Sequence, residues 1–206
     1  MKIEMNRLHL FILLFTASSL LFQFPPDAFA SSPSDITAAD SETDGENGFD
    51  VLDSPYGVDT FVIGSSTYAI VTSQIDDGVQ IIDISDPANI VATDSETDGV
   101  NGFDMLDAAN AVSTFVIGSS TYAIVTGYED DGVQIIDISD PADIVAKDSE
   151  TDGVNGFDML GTGSGGAIAV DTFVIGSSTY AIVVSRGDHG VQIIDISDPA
   201  DIVAKD

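Results

Sequence analysis

The sequence predicts an all-β protein, three four-stranded antiparallel blades of a partial β-propeller, preceded by a signal-peptide helix. Three observations support this fold. The same acidic hexapeptide starts at Asp40, Asp94 and Asp148, which gives a repeat period of 54 residues. Each repeat carries four short apolar or β-branched runs separated by turn signals. The third run is apolar on both faces, which is typical of a sheet covered on both sides.

The N-terminal residues have the pattern of a secretory signal peptide. Lys2 and Arg7 precede a mostly apolar run, and residues 28–30 read Ala-Phe-Ala, a small-x-small cleavage signal. The alternative is an uncleaved membrane anchor, but Pro25 and Pro26 interrupt the apolar character. We therefore expect a secreted or cell-surface protein with no membrane span after cleavage. The expected segments are signal peptide 1–30, linker 31–39, and repeats 40–93, 94–147 and 148–206.

The composition indicates a folded, strongly acidic protein. The formal net charge of −30 repels nucleic acid, so we expect no nucleic-acid partner, and it attracts divalent cations and basic partners. The chain has no cysteine, so disulfides cannot stabilise it. An apolar fraction of 44% argues against disorder.

The middle repeat illustrates the predicted elements. Its strands are expected at Ser113–Gly118, Thr121–Thr126, Val133–Ser139 and Ile144–Lys147. Its turn signals are Gly118-Ser119-Ser120, Asp131-Gly132 and Asp140-Pro141-Ala142. A long acidic loop from Asp148 to about Asp158 is expected to lead into the next repeat.

The third strand favours a propeller blade over a two-sheet sandwich. Val133 and Ile135 are expected on one face, and Ile136 and Ile138 on the other. A sandwich strand would normally present one polar face, whereas a blade is covered by the blade before it and the blade after it. Both faces of this strand are apolar, so the sequence predicts blades.

Two recurring side chains are assigned structural roles. A third-strand carboxylate is expected to accept hydrogen bonds from N–H groups of a neighbouring turn, at Asp83, Asp137 and Asp195. A second-strand aromatic ring is expected to pack in the core or between blades, at Tyr68, Tyr122 and Tyr180. No His partner recurs at a useful spacing, so we expect no catalytic residues.

The run from Tyr-Ala-Ile-Val to Gly-Val-Gln-Ile-Ile-Asp-Ile-Ser-Asp-Pro resembles the LVIVD repeat of bacterial and archaeal surface proteins. The resemblance covers Tyr68–Val91, Tyr122–Val145 and Tyr180–Val203. It implies a β-propeller-like extracellular protein and carries over no catalytic residues. The unit here is longer than the usual LVIVD pattern, and the additional length lies in the acidic stretch.

The acidic stretch is the candidate metal site. Carboxylates at positions 1, 3 and 5, glycine at 6 and a further Asp at 11 have the spacing with which loops surround calcium. Position 12 lacks the bidentate Glu of an EF-hand, and a solvated acidic turn is the alternative. The candidate calcium ligands are Asp40, Glu42, Asp44, Asp50, Asp94, Glu96, Asp98, Asp104, Asp148, Glu150, Asp152 and Asp158.

The repeats differ mainly in two segments, which are candidates for binding because loops on a rigid scaffold usually carry it. The connection between the second and third strands varies, at Ser73–Asp76, Gly127–Asp130 and Ser185–His189. The stretch before the first strand varies too, at Asp53–Asp59, Asp107–Ser113 and Gly161–Asp171. His189 is interpreted as a loop residue, and the glycines of Gly161–Gly166 as a source of flexibility.

We therefore expect an exported, non-enzymatic binding or interaction module with a protein or glycan ligand. The alternative is a structural surface protein stabilised by calcium, and a hydrolase is a third class. Three blades are fewer than closed propellers have. The sequence leaves open an open arc, two copies associating into a six-bladed ring, or a part of a longer product.

Overall fold

A computed structural model of the chain describes residues 37–161 and 165–205. The described residues contain twelve strands and no helix. The first sheet, blade 1, consists of β1 (Pro55–Ile63), β2 (Ser66–Ser73), β3 (Gly78–Asp83) and β4 (Val91–Thr97). Blade 2 consists of β5 (Ala109–Ile117), β6 (Ser120–Gly127), β7 (Gly132–Asp137) and β8 (Val145–Thr151). Blade 3 consists of β9 (Ala167–Ile175), β10 (Ser178–Ser185), β11 (Gly190–Asp195) and β12 (Val203–Lys205).

Each blade is an antiparallel meander in which every strand pairs with the next one along the chain. The three blades lie in one compact unit, Ala38–Asp206. The predicted signal peptide lies outside the described residues. Within the described chain, nothing helical has the length and apolar character needed to cross a bilayer.

The hydrophobic core lies between the blades. One buried cluster combines Ile70, Val79 and Ile81 of blade 1 with residues of blade 2 that include Ile136 and Ile138. A second cluster combines blade 2 with blade 3 in the same way. The third strand therefore contributes to two cores, as its two apolar faces predict, and the sandwich alternative is wrong.

A short Asn-Gly turn leads into each blade. Asn101 and Gly102 have φ angles of 53° and 85°, the left-handed pair that a two-residue hairpin turn requires. The Phe103 N–H donates to the Val100 carbonyl at 2.9 Å. This turn places Phe103, which is 1% exposed, in the core between blades 1 and 2.

The expectation of a long acidic loop is wrong at its start. Asp148–Thr151 belongs to β8, where Thr151 and Glu150 pair with Gly132 and Val133 of β7. The same residues of the preceding repeat pair with β3. The outer strand is longer than predicted because β7 would otherwise leave its edge unpaired. The sequence repeat thus begins inside the last strand of a blade, and the first strand is also longer than predicted, from Ala109 to Ile117.

Candidate functional site

The first aspartate of each acidic stretch is bonded to the Asp-Pro-Ala turn of the blade that follows. The Asp94 carboxylate, on β4, accepts a hydrogen bond from the Ile144 N–H of blade 2 at 2.8 Å. The Asp148 carboxylate makes the same bond to the Ile202 N–H of blade 3 at 2.8 Å. Asp40 accepts from the Ile90 N–H of blade 1 at 2.9 Å. At Asp94 and Asp148 this side chain therefore fixes one blade against the next.

The remaining acidic side chains of the stretch hold the Asn-Gly turn. Glu96 accepts from the Asn101 side chain at 3.3 Å, and Asp98 accepts from the Leu106 N–H at 3.0 Å. The equivalent bonds recur for Glu42, Asp44, Glu150 and Asp152. The fourth acidic residue of the set is exposed, at Asp50, Asp104 and Asp158.

Nine of the twelve predicted calcium ligands thus have separate protein partners, whereas Asp50, Asp104 and Asp158 are exposed. Among the described residues, no group of three or more His, Asp or Glu side chains is placed to hold a metal ion. Calcium binding by the acidic stretch stays a prediction, and it would require these side chains to move closer together.

The structure brings the two variable segments of each repeat together. In blade 1, the Gln74 N–H donates to the Ser54 carbonyl at 3.1 Å, and the Ile75 N–H donates to the Asp53 carbonyl at 3.2 Å. Blade 2 repeats this pair of bonds at Tyr128 and Glu129, and blade 3 at Arg186 and Gly187. We call the paired segments the variable surface: 53–55 with 74–76, 107–109 with 128–130, and 161 and 165–166 with 186–189.

A cluster of carboxylates lies in and beside the variable surface where blades 1 and 2 meet. Burial raises the pKa of Asp130 to about 6; the Asp107 N–H opposes this, whereas the charges of Asp98, Asp107 and Asp77 add to it. Burial also raises the pKa of Asp107, with further contributions from Asp77 and Asp98. The Asp107 N–H donates to the Asp130 carboxylate at 2.8 Å. Sequence reasoning missed this cluster because only the packing of two blades brings Asp77 close to Asp107 and Asp130. The pairing within the blade recurs in blade 1, where the Asp53 N–H donates to the Asp76 carboxylate at 2.6 Å.

The variable surface of blade 3 differs in charge and in backbone. Arg186 and His189 are exposed, and His189 has a φ of 56°, the left-handed turn conformation that Asp77 and Asp131 adopt in the other blades. Gly166 is buried directly against the Tyr128 backbone, where a Cβ would overlap the carbonyl. At Gly166 glycine therefore permits a close approach between blades, which is a different role from the expected flexibility; residues 162–164 lie outside the described chain.

The assignment of the third-strand carboxylate is confirmed. That of the second-strand tyrosine is confirmed for Tyr68 and Tyr122, which pack against the cores between blades. The third-strand carboxylate accepts a backbone N–H from the following turn in every repeat, at 2.8, 3.0 and 3.1 Å. The Ser85 hydroxyl lowers the pKa of Asp83. Lys147 and Lys205 form ion pairs with Asp137 and Asp195 at 3.4 and 3.2 Å. Each tyrosine stacks on a neighbouring phenylalanine, with ring centroids 5.5–5.6 Å apart.

Two open clefts beside the outer strands are small for ligand sites. One has a volume of about 280 Å³ and is lined by Gln80 and Asp94, and the other has about 260 Å³ and is lined by Gln192 and Asp158. The Gln80 side-chain oxygen is buried without a hydrogen-bond partner. In contrast, Gln134 and Gln192 accept the N–H of Asp104 and Asp158.

No protein-family model and no curated protein sequence matches the chain. An exo-β-1,3-galactanase of Phanerochaete chrysosporium, solved with β-1,3-galactotriose, is similar in structure, with a TM-score of 0.52 and 10% identity over 82% of this chain and 41% of the galactanase. A family 117 glycoside hydrolase of Zobellia galactanivorans has a TM-score of 0.50 and 11% identity over 80% of this chain and 48% of the hydrolase.

Both similar proteins are β-propellers. The chain is a partial β-propeller. It spans less than half the length of either solved structure, and identities of 10% and 11% show the fold alone. The fold is one that hydrolases also use, and it does not by itself indicate hydrolysis.

Proposed function

We propose that the chain is an exported, non-enzymatic module that binds a ligand through the variable surface. The observation that carries this proposal is the hydrogen bonding between the two variable segments in every blade. A constant scaffold of buried strands then presents a contiguous set of side chains that changes from blade to blade, which is the usual arrangement of binding loops. The resemblance to LVIVD surface proteins supports an extracellular location.

The charge of the variable surface favours a basic protein segment as the ligand. Asp53 and Glu129 are exposed there. Burial, together with the nearby charges of Asp98, Asp107 and Asp77, raises the pKa of Asp130. A cationic partner would relieve this repulsion and would be attracted by the net charge of −30. A glycan is the alternative ligand.

A labelled decalysine peptide tests the proposal by fluorescence anisotropy. We expect the double variant Asp53→Asn/Glu129→Gln to weaken peptide binding several-fold. The control, Asp143→Asn/Asp201→Asn, removes the same charge from exposed positions outside the variable surface, and blade 1 has Asn89 at this position. Equal weakening by both pairs would show diffuse attraction and would contradict the proposal. Release of galactose from β-1,3-galactotriose would contradict the non-enzymatic part.

The second candidate function is a structural surface protein stabilised by calcium. The spacing of the acidic stretch favours it, whereas the described side chains of the stretch are not grouped around a common point in the structure. The two functions differ in one respect that can be measured: only the second requires the melting temperature to depend on calcium.

A further inference from the structure

The outer face of blade 3 is an apolar surface with no blade beside it in the described chain. The second residue of the third strand is a valine in every blade. It is 0% exposed in blades 1 and 2, at Val79 and Val133, but 56% exposed in blade 3, at Val191. Ile70 and Ile124 are 0% exposed, and the equivalent Ile182 is half-buried. In blades 1 and 2 this face is covered by the following blade. We call it the trailing face: Phe173, Ile175, Tyr180, Ile182, Val191 and Ile193.

Blade 1 presents the complementary face. In blade 2 the leading face, which covers blade 1, includes Leu106, Val112, Val125, Ile138 and Ile144, all buried. The residues at the same positions of blade 1 are Leu52, Val58, Val71, Ile84 and Ile90. Val58 is 65% exposed, and the other four are partly exposed. Blade 1 therefore offers, uncovered, the surface that packs on a trailing face elsewhere in this chain.

A free strand segment accompanies the leading face. Asp40-Ser41-Glu42-Thr43 has the same sequence as Asp94–Thr97 and Asp148–Thr151, which pair with β3 and β7. In the structure this first copy lies outside any strand. In blade 3, the described part of β12 pairs only with Ile193, Ile194 and Asp195 of β11, so the edge at residues 190–192 has no partner there. The Asp40–Thr43 segment thus has the sequence that pairs with the equivalent edge in blades 1 and 2.

A polar contact between inner strands points in the same direction. The Asp59 carboxylate of β1 accepts hydrogen bonds from the Thr114 N–H and hydroxyl of blade 2 at 2.7 and 2.8 Å. Asp171 occupies this position in blade 3, is exposed, and accepts the local Thr172 N–H at 2.9 Å. A threonine from a following blade would complete the same contact, and blade 1 carries Thr60 at that position.

We propose that the trailing face of blade 3 binds the leading face of blade 1 of a second copy of this chain. The Asp40–Thr43 segment of the second copy then adds to the β11 edge at residues 190–192, in the register that Asp148–Thr151 uses on β7. Each copy offers both faces, so two copies close into a ring of six blades, within the range of known propellers. The proposal is independent of the ligand of the variable surface.

The first test compares two valines of blade 3. Val191 and Val174 are 56% and 66% exposed, but Val174 corresponds to positions that are exposed in every blade, Val62 and Val116 at 60% and 62%. We expect native mass spectrometry and sedimentation to show a species of two chains. Val191→Lys should raise the dissociation constant of this species about 100-fold or more, because a lysine would be buried without a partner in the interface. Val174→Lys is expected to leave it intact. A single-chain protein at all concentrations, an open-ended series of larger oligomers, or equal effects of both variants would overturn the proposal.

The second test fixes the register by cross-linking. Val79 and Val133 pair with Glu96 and Glu150, so Val191 of one copy should pair with Glu42 of the other. The chain has no cysteine of its own. Under mild oxidation, Glu42→Cys/Val191→Cys should give a covalent species of twice the chain mass, whereas Glu42→Cys/Val174→Cys should not. A disulfide within one chain, or the same yield in both variants, would overturn the proposed pairing.

Discussion

At the scale of single residues, the acidic side chains stabilise the fold by accepting N–H groups that would otherwise be buried without a partner. Asp94 accepts the N–H of Ile144, a residue that is 3% exposed in the core between blades 1 and 2. Removing one partner of such a bond leaves a buried donor unsatisfied and costs about 1–3 kcal/mol. A single carboxylate therefore contributes to the docking of two sheets.

We predict that Asp94→Ala lowers the free energy of unfolding by about 1–3 kcal/mol, equally in calcium and in a chelator. The measurement is urea denaturation followed by circular dichroism. The control is Asp104→Ala, which removes an exposed carboxylate of the same acidic stretch but keeps the backbone N–H bonded to Gln134. If both variants lose stability only when calcium is present, the calcium-stabilised function is supported instead.

Asp130 makes the stability depend on pH in the opposite direction from most aspartates. Its pKa of about 6 lies above the ordinary value of 3.8, so the folded protein binds this proton more tightly than the unfolded chain does. Stability should therefore rise as the pH falls from about 7 to about 5. Below the ordinary aspartate range it should fall again, because the folded pKa values of Asp83 and Asp195 are lowered.

We predict that Asp130→Asn raises the melting temperature at neutral pH and flattens its rise between about pH 7 and pH 5. Asparagine cannot ionise but can still accept the Asp107 N–H. The control is Asp143→Asn, an exposed position at which blade 1 has Asn89. A slope that is unchanged in Asp130→Asn would assign the titration to other groups.

At the scale of elements, the sequence predicts the strands that consist of apolar side chains. It misses polar segments that become strands only because a neighbouring strand offers them an edge to pair with. The two-faced third strand follows from Val133, Ile135, Ile136 and Ile138 alone. The last half of β8 does not, because Asp148-Ser149-Glu150-Thr151 has few residues that favour strands. It is extended because β7 offers it a partner edge. The cluster around Asp107 and Asp130 was missed for a similar reason, since only the packing of two blades brings Asp77 close to it.

The blade boundary gives a prediction at this scale. Leu106 is 0% exposed between blades 1 and 2, and Leu52, the same position in blade 1, is partly exposed. We expect Leu106→Ala to cost about 2–5 kcal/mol of unfolding free energy, the usual range for a buried leucine. Leu52→Ala should cost clearly less in the single chain. Equal losses in dilute protein, measured by urea denaturation, would show that blade 1 is already covered.

At the scale of the whole molecule, the net charge opposes folding. The sequence has 35 acidic and five basic side chains, Lys and Arg counted together, and the two ion pairs of the described residues are partly exposed, so each contributes little. Mutual repulsion of this size destabilises a compact state, and dissolved salt screens it.

We predict that the melting temperature rises by several degrees between about 0.1 and 1 M NaCl, where the Debye length falls from about 10 to 3 Å. Differential scanning calorimetry at neutral pH measures the change. Repeating it at about pH 4, where many carboxylates are protonated, is the control, and the salt effect should shrink there. A salt effect of the same size at both pH values would exclude charge screening as its cause.

The use of equivalent residues at both blade boundaries has a consequence for how such a gene can change. A tandem duplication or deletion of one 54-residue unit would add or remove one boundary and leave every other boundary with its present residues. Near-identical coding repeats are also substrates for unequal recombination. The number of blades can therefore change without any intermediate in which a core is mismatched.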